Sequence, residues 1–463
     1  MPLGGPHKSA KHALSRQKLL LYAAVAAVVS YIMAMRVALL LQTGSVWYQN
    51  YDWYNPHAAA QRMHPDTPVS DHSAECLLHG RSAYPDVQCP ASQRKITVHV
   101  LPQSKDFLPW IWHTVLATDT DDKADMPVHF YDSLYDELQP RTKSFPSHDI
   151  DFIIEPFPLQ PARAALITNL LVVGEHLNHT YLSLLPRHAR VGLIILGYED
   201  CRNIASHGKL DYRIAFGFVT YGDCALVDGV HWRVWPLGPR TLSGFPARMH
   251  PRSSPRMAER THDLNMVMTY TLDKPSRMQA WLATQPWCEG WIWPQLSCHT
   301  GVAWFAVAKI IEAIDRNLGT QLSGAFLVES AARSYVDTLK KSKLTLSPSG
   351  KNPEQYRIYE AIMAGSVPVV EDPEVQPGTF LHPSYPATFR CMPDDIHRVI
   401  KATRAPVIYV RDWETDLDRI LAEMSDQQLQ EKQDALAAWY DGFVLGLRDE
   451  VLCQVRAHMS ESH

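Results

Sequence analysis

Acidic residues are missing from the N-terminal end of the sequence. Asp52 is the first carboxylate of the 463-residue chain, whereas five basic residues precede it: Lys8, Lys11, Arg16, Lys18 and Arg36. The whole chain has no basic excess either, with 44 Lys and Arg against 49 Asp and Glu and a formal charge of −5. Nucleic-acid binders depend on cationic side chains that neutralise phosphates. The charge balance therefore argues against a nucleic-acid partner.

Motifs of several common enzyme classes are absent as well. The sequence has no CxxC pair and no HExxH helix, so it offers no familiar zinc site. It also lacks a GxxxxGK[ST] loop and a GxGxxG segment after a strand, which disfavours nucleoside-triphosphate hydrolysis and dinucleotide redox chemistry. The chain is 46% apolar and 20% charged, as expected of a globular protein long enough for two domains.

A long apolar run occupies residues 19–41 and is interrupted by one charge, Arg36. A helix over this run would be roughly 35 Å long, enough to cross a bilayer core of about 30 Å. Because the basic flank lies on the N-terminal side, we expect a type II anchor, with residues 1–18 in the cytosol and a stem over 42–93 on the other side. A cleaved signal peptide and an organellar transit peptide are the alternatives.

Eight cysteines and one glycosylation sequon fit a luminal body. Asn178 begins the sequon and is the candidate glycosylation site. Sequence leaves the disulfide connectivity open, but proximity makes three pairs plausible: Cys76 with Cys89, Cys201 with Cys224, and Cys288 with Cys298.

Alternation of strand-like and helical segments predicts two α/β domains, each with a parallel sheet. The first series of strands, in a domain over 94–250, is at 96–100, 151–155 and 191–196. The second, in a domain over 261–425, is at 264–270, 344–347, 367–371 and 406–410. The Pro-, Arg- and Ser-rich segment 245–260 is the candidate linker. A C-terminal helical region over 426–463 contains a long helix from Asp426 to about Arg456.

One strand–loop–helix–strand unit, residues 344–372, has the form of an anion site. Asn352 is a good N-cap, with Pro353 at the first helical position and Gln355 at the capping-box position. Gly365 can end the helix in the left-handed conformation. In such a unit ligands bind beyond the carboxyl end of the strand, where helix N–H groups favour an anion.

Small and basic residues fill that position. Their hydroxyls, backbone and charge suit a phosphate, and they are Ser347, Ser349, Gly350 and Lys351. Arg357 and Glu360 lie three apart on one helix face, so the arginine could meet a diphosphate while the carboxylate accepts ribose hydroxyls. An exposed i,i+3 ion pair, worth about 0.2 to 0.5 kcal/mol, is the alternative.

Several segments resemble exostosin-like GT-B glycosyltransferases, and most of all the members that transfer xylose to ribitol phosphate. They are YRIYEA at 356–361, PVVED at 368–372, LGYEDC at 196–201, WPLG at 235–238, FP at 245–246, SR at 276–277 and AP at 405–406 with Trp413. The resemblance covers roughly 94–440. Two departures are an insertion over about 287–329 and Ser347 at a cysteine position of the family.

The resemblance implies a GT-B fold, in which two Rossmann-like domains face a cleft. It implies inverting transfer of xylose from UDP-xylose, a pentosyl transfer, to ribitol phosphate on the O-mannosyl glycan of a glycoprotein. The enzyme would need no metal or other cofactor and would sit in the Golgi membrane, with Golgi glycosyltransferases as candidate partners. By matching the family's motifs, Arg277, Tyr356 and Gly365 join the donor-binding residues.

A catalytic base is expected at the carboxyl end of a strand in the first domain, because the acceptor hydroxyl must lose a proton. Glu199 directly follows such a strand, and Asp223, at a position that fits the family, is the reserve. Acidic patterns at 119–121 and 149–151 offer a weaker, metal-dependent hypothesis. Two more hypotheses stay open: a transferase with another UDP-sugar and acceptor, and a non-catalytic, membrane-anchored glycan-binding protein.

Overall fold

The computed structural model describes residues 94–103, 108–118, 141–174, 179–196, 212–220, 231–241, 245–266, 275–284, 298–299, 335–349, 354–372 and 398–459. All of them belong to one compact unit. The predicted cytoplasmic tail, membrane anchor and stem, 1–93, lie outside the described residues.

The first sheet has seven strands. They are β1 (Ile96–Pro102), β2 (Thr142–Phe145), β3 (Ile150–Ile154), β4 (Asn169–Gly174), β5 (Arg190–Ile195), β6 (Ile214–Val219) and β7 (His231–Val234). Their order is β2-β3-β1-β4-β5-β6-β7, with β2 antiparallel to β3 and all other neighbours parallel. Every residue of β4 is buried, as expected of a central strand covered on both faces.

The second sheet has five parallel strands. They are β8 (His262–Asn265), β9 (Cys298–His299), β10 (Ser342–Leu346), β11 (Val367–Glu371) and β12 (Ile408–Val410). Their order is β12-β11-β10-β8-β9. The α/β prediction is confirmed. The strand predicted over 264–270 is corrected, since β8 begins at His262 and Met266 is already outside it.

Helices connect and cover the strands. They are α1 (Leu108–Trp110), which continues as a π-helical segment Ile111–Val115, α2 (Pro161–Ala164), α3 (His179–Leu184), α4 (Pro275–Thr284), α5 (Tyr356–Met363), α6 (Arg398–Ala402), α7 (Trp413–Glu423) and α8 (Asp426–His458). Residues 335–341 are also helical. Among the described helices none combines the length and apolar character that a membrane span requires.

The terminal helix α8 touches both halves of the fold. Ser425 begins it with a capping box, in which the Ser425 side chain accepts from the Gln428 N–H and the Gln428 side chain accepts from the Ser425 N–H. Further along, the Tyr440 hydroxyl accepts a hydrogen bond of 3.1 Å from the indole N–H of Trp110 in α1. One hydrophobic core accordingly contains residues of both sheets and of α8, and a second core lies on the other face of the first sheet.

The segment 245–260 separates the two sheets in sequence. It contains two short 3-10 turns, Pro251–Ser253 and Met257–Glu259, both packed against α8. The Met257 N–H donates to the Gln430 side chain at 2.9 Å. Gln433 donates to the Pro255 carbonyl at 3.0 Å. The connection between the sheets is therefore anchored along α8.

Candidate active site

The loop after β10 is tied to the end of the neighbouring strand. The Ser347 N–H bonds to the Val369 carbonyl at 2.9 Å and prolongs the pairing of β10 with β11. The Ser349 N–H then donates to Glu371 Oε2 at 3.1 Å, and the Ser349 hydroxyl donates to the same oxygen. The other oxygen of Glu371 accepts from the indole of Trp413 at 2.7 Å. One carboxylate thus fixes the described start of the predicted phosphate loop, as far as Ser349.

Helix α5 starts later than the sequence suggests, so the predicted capping box is wrong. Glu354 is not helical, and Gln355, expected at the third helical position, is the N-cap with extended backbone and no side-chain cap bond. The physical reason is that both side chains bond to distant parts of the chain. The Glu354 carboxylate accepts from the Leu237 N–H at 3.1 Å and from the Tyr359 hydroxyl. The Gln355 amide accepts from Arg277 at 3.1 Å.

The end of α5 has the geometry expected at Gly365. The Ser366 N–H bonds to the Ala361 carbonyl and the Gly365 N–H to the Ile362 carbonyl, both at 2.9 Å. This pair of bonds is a Schellman motif. Gly365 has a φ of +67°, and a Cβ at this position would lie 2.6 Å from Ser254 Cβ. Glycine is therefore required by conformation and by space.

Two buried arginines converge on the start of α5. Arg277 of α4 is 7% exposed and reaches the N-cap through Gln355. Arg357 is 6% exposed, and within the described part of the chain its Nε and Nη1 have no hydrogen-bond partner. A buried guanidinium with unfilled donors is costly unless an anion meets it. The predicted alternative of an exposed ion pair is wrong, because Arg357 and Glu360 are both buried.

Glu360 is completely buried and hydrogen-bonded through both oxygens. Oε2 accepts from the Tyr335 hydroxyl at 2.5 Å, and Oε1 accepts from the backbone N–H of Arg240 at 3.1 Å. Burial raises the pKa of the Glu360 carboxyl, and these two bonds and the charge of Arg357 oppose the rise. Burial and the nearby Glu360 charge also raise the pKa of Tyr335 well above its usual value, so its hydroxyl stays protonated and donates.

The segment after β7 meets α5 at several points. Leu237 and Arg240 supply the backbone donors to Glu354 and Glu360 described above. The Arg240 guanidinium lies 5.8 Å from the ring centroid of Tyr356, the first residue of α5. Gly238 has a φ of +70°, and a Cβ there would lie 2.7 Å from the Trp110 ring. Residues 235–240, which begin with WPLG, thus take a conformation that brings two amides to the carboxylates beside α5.

Sequence reasoning missed the residue that orders the other end of α5. Arg260, placed in the predicted linker, is 5% exposed, and burial lowers its pKa to about 10. Its guanidinium donates to four carbonyls, at distances between 2.7 and 3.2 Å: Pro255, Leu339, Ser342 and Ala364. Nothing in a Pro- and Ser-rich segment distinguishes such a buried arginine from an exposed one.

The structure brings together part of the predicted site. Around α5 it places seven predicted residues: Arg277, Ser347, Ser349, Tyr356, Arg357, Glu360 and Gly365. The remaining predicted positions lie outside the described residues: Gly350, Lys351, Glu199, Asp223 and Asn178. Three further polar residues belong to the site and were not predicted: Glu354, Glu371 and Tyr335.

The acidic pattern at 149–151 serves local structure. Asp149 caps the 3-10 turn Pro146–His148 with a φ of +50°, and Asp151 pairs with Lys95 at 2.7 Å. The described residues hold no cluster of metal-ligating side chains. The pattern at 119–121 lies outside them. Trp110 and Trp112 are fully buried and belong to the core, as expected of most tryptophans.

Residues 327–459, which include β10, α5 and α8, match the family model described as RXYLT1 C-terminal domain. The predicted family resemblance is confirmed. Ribitol-5-phosphate xylosyltransferase 1 of Homo sapiens is 35% identical over 267 residues, covering 56% of this chain and 52% of that protein. The Danio rerio protein of the same name is 28% identical over 282 residues, covering 56% and 53%. The chain therefore spans about half the length of the curated relatives that it matches.

Solved structures resemble the chain only distantly. An α,α-trehalose-phosphate synthase (UDP-forming) from Burkholderia vietnamiensis aligns with a TM-score of 0.38 and 9% identity, over 79% of this chain and 100% of that one. Arabidopsis thaliana UGT89C1 complexed with UDP aligns with a TM-score of 0.32 and 12% identity, over 77% and 99%. TM-scores this low carry no argument about the fold, which is defined by the strand order of the two sheets.

Proposed function

We propose that the protein is an inverting GT-B glycosyltransferase that moves xylose from UDP-xylose to ribitol 5-phosphate on an O-mannosyl glycan. Two mainly parallel sheets linked in one chain are the layout that such a fold requires. The sugar and the acceptor are taken from the name of the relatives, and the family model that matches this chain covers the unit around α5.

The observation that carries the proposal is Arg357. Its guanidinium is buried at the start of a helix that follows a parallel strand, and Nε and Nη1 lack partners among the described residues. The helix dipole and the arginine both favour an anion there. Arg277 reaches the same end of the helix. A nucleotide-sugar diphosphate is the anion that suits the position.

The residues around this position would perform distinct steps. The donor diphosphate binds Arg357 and Arg277, and the loop with Ser347, Ser349, Gly350 and Lys351 encloses it. When the bond from the anomeric carbon to the diphosphate breaks, these groups stabilise the negative charge of the departing UDP. No metal is needed for this step if the side chains supply the charge. Tyr356 is the first residue of α5 and Gly365 ends the helix, so these two residues bound the helix that carries Arg357.

Glu360 recognises the ribose in this scheme. An ionised carboxylate has about four acceptor positions, so it can accept a ribose hydroxyl in addition to Tyr335 and Arg240. These two existing bonds would hold the carboxylate in place before the nucleotide arrives. Preorganisation of this kind lowers the entropy cost of binding.

The acceptor hydroxyl loses its proton to a carboxylate of the first domain, and its oxygen attacks the anomeric carbon on the face opposite UDP. We propose Glu199 as this base, with Asp223 in reserve. The support for Glu199 is its place in the sequence, shortly after β5 ends at Ile195, because ligands bind outside the carboxyl ends of parallel strands.

We place the protein in the Golgi membrane as a type II protein with a luminal catalytic region, acting on glycoproteins beside other Golgi glycosyltransferases. The apolar run at 19–41 and its basic flank support an anchor. Cys453 is disulfide-bonded, and disulfides persist in oxidising compartments such as the secretory pathway. Asn178 is the proposed glycosylation site.

The test uses the full-length protein, purified in detergent, with a panel of UDP-sugars and ribitol 5-phosphate acceptors. Release of UDP and transfer of xylose, retained in the presence of chelator, are the expected results. Transfer of another sugar would replace the donor in the proposal. Failure to bind any UDP-sugar would refute a glycosyltransferase function altogether.

A further inference from the structure

Polar side chains without a protein partner lie at the carboxyl edge of the first sheet. Gln103 directly follows β1, and Thr220 directly follows β6. Both polar atoms of the Gln103 amide, Nε2 and Oε1, are buried without a hydrogen-bond partner, and so is Oγ1 of Thr220, as far as the described ranges extend. Neither residue belongs to the donor unit around α5.

Such groups are expensive to bury. A glutamine amide has two donor hydrogens and an oxygen with two acceptor positions. Leaving a buried donor or acceptor unsatisfied costs about 1 to 3 kcal/mol, and native proteins keep few of them. An amide and a hydroxyl that lack hydrogen-bond partners among the described residues, at the same edge of the sheet, therefore indicate a ligand that hydrogen-bonds to both groups.

The location is one where ligands bind. The Gln103 N–H donates to the Val173 carbonyl of β4 at 2.8 Å, and the Thr220 N–H donates to the Ile195 carbonyl of β5 at 3.1 Å. Since β1, β4, β5 and β6 are parallel neighbours, their carboxyl ends form one edge. In open α/β sheets ligands bind outside this edge.

Glycine at the end of β4 makes room for Gln103. A Cβ on Gly174 would lie 2.8 Å from Gln103 Cβ, closer than side-chain carbons approach one another. The glutamine side chain consequently lies directly against the end of β4. The close approach fixes the start of the Gln103 side chain, and with it the region that the amide can occupy.

Strand spacing sets the size of the partner. Three strand intervals of about 4.8 Å separate β1 from β6, so the two positions are roughly 14 Å apart. The register places Gln103 level with Val219, one residue before Thr220, so the two side chains leave the sheet toward opposite faces and a ligand that meets both must cross the carboxyl edge. A single small sugar or a free pentitol does not span that distance, whereas a chain of sugar units does. Thr220 lies beside β5, the strand that precedes Glu199, so the reacting end of the ligand belongs on that side.

We propose that Gln103 and Thr220 bind hydroxyl groups of one extended glycan acceptor that carries the polyol, with Gln103 as a specificity-determining residue. This inference rests on the proposed function and assigns the other half of the reaction to named residues. An amide that donates and accepts distinguishes a chain of hydroxyls from an apolar acceptor, because an acceptor without hydroxyls leaves the amide unpaired.

The test replaces the polar groups with apolar ones of similar size, in Gln103→Met and Thr220→Val. For both variants of the full-length protein we expect a rise of about tenfold in the KM for ribitol 5-phosphate acceptors. The KM for UDP-xylose should not change, and thermal stability should be equal or higher. Gln433→Met is the control for the acceptor KM alone, because Gln433 on α8 is also buried and its Oε1 is also without a partner in the described chain, while its Nε2 donates to the Pro255 carbonyl.

If the unfilled atoms are only an imperfection of packing, both variants will keep the wild-type acceptor KM, and the inference is overturned while the proposed function stands. If the wild type transfers no xylose, the proposed function fails. Saturation-transfer NMR with a glycan that carries ribitol 5-phosphate, and is long enough to reach both residues, then decides the inference without turnover. Binding that Gln103→Met weakens supports it, and absent or unaltered binding contradicts it.

Discussion

The backbone N–H of Arg240 donates a hydrogen bond of 3.1 Å to the side chain of Glu360. The donor comes from the segment after the first sheet, and the acceptor lies within α5 beside the second sheet. Because the bond uses the main chain of Arg240, it does not depend on that residue's side chain. Glu360 is thereby fixed from outside its own helix, and Tyr335 fixes it a second time.

Tyr335→Phe should reduce the free energy of unfolding by about 1 to 2 kcal/mol, because a buried carboxylate loses a hydrogen-bond donor. Urea unfolding at neutral pH measures the change. Tyr212→Phe is the control, since the Tyr212 side chain is exposed and its hydroxyl bond to the Arg187 carbonyl, at 3.2 Å, is on the surface. Equal stability of the two variants would show that the Tyr335 bond contributes nothing.

Gly365→Ala should destabilise the protein by at least about 2 kcal/mol, because alanine resists a φ of +67° and its Cβ would press on Ser254 and Arg260. Gly442→Ala should have the opposite effect on stability. Gly442 lies inside α8 with no atom within 4 Å of an added Cβ, so alanine there should raise stability by about 0.5 to 1 kcal/mol. Thermal unfolding of both variants gives the comparison, and shifts of the same sign would contradict it.

In Glu155→Gln the free energy of unfolding should depend less on pH in the acidic range. Burial alone raises the pKa of the Glu155 carboxyl, but hydrogen bonds and charge from Arg163 and His99 outweigh burial and hold the pKa below the usual 4.5. A lowered folded-state pKa means that the carboxylate stabilises the fold above about pH 4.5 and loses this effect as the pH falls through the folded-state value.

At pH 7 we expect the free energy of unfolding of the wild type to be about 1 to 2 kcal/mol higher than that of Glu155→Gln. We keep this range low because the Arg163 side chain is 43% exposed, so that solvent screens its charge. The difference should shrink as the pH falls below about 4.5. Urea unfolding at a series of pH values measures it. A difference that grows in acid would mean that the carboxyl is protonated in the fold at neutral pH.

Local sequence patterns predicted seven of the twelve described strands and the end of α5, but not β2, β4, β6, β7 or β9. β1 alternates in polarity, β5 and β11 are apolar runs of ordinary strand length, and Gly365 marks a helix end because few other residues adopt its φ. The long final helix was predicted from Asp426 to about Arg456 and spans Asp426–His458. These features depend on residues close together in the chain.

The start of α5 could not be predicted in the same way. Capping rules favoured Asn352 and Gln355, but Glu354 bonds to Leu237, 117 positions away, and Gln355 bonds to Arg277, 78 positions away. Tertiary bonds of this kind override local preference, and a single sequence does not reveal them. For the same reason Arg260 resembled an ordinary linker residue, since three of its four carbonyl partners, Leu339, Ser342 and Ala364, lie 79 to 104 positions away.

The central claim is that Arg357 holds the diphosphate of a nucleotide sugar, and calorimetric titration of UDP into Arg357→Ala tests it most directly. Arg419→Ala is the control, because the Arg419 side chain is 55% exposed and paired with Asp416 on α7. We predict that the Kd for UDP rises by about 10- to 100-fold in Arg357→Ala, with urea unfolding still cooperative, and stays unchanged in the control. Wild-type affinity for UDP in a folded Arg357→Ala would contradict the account.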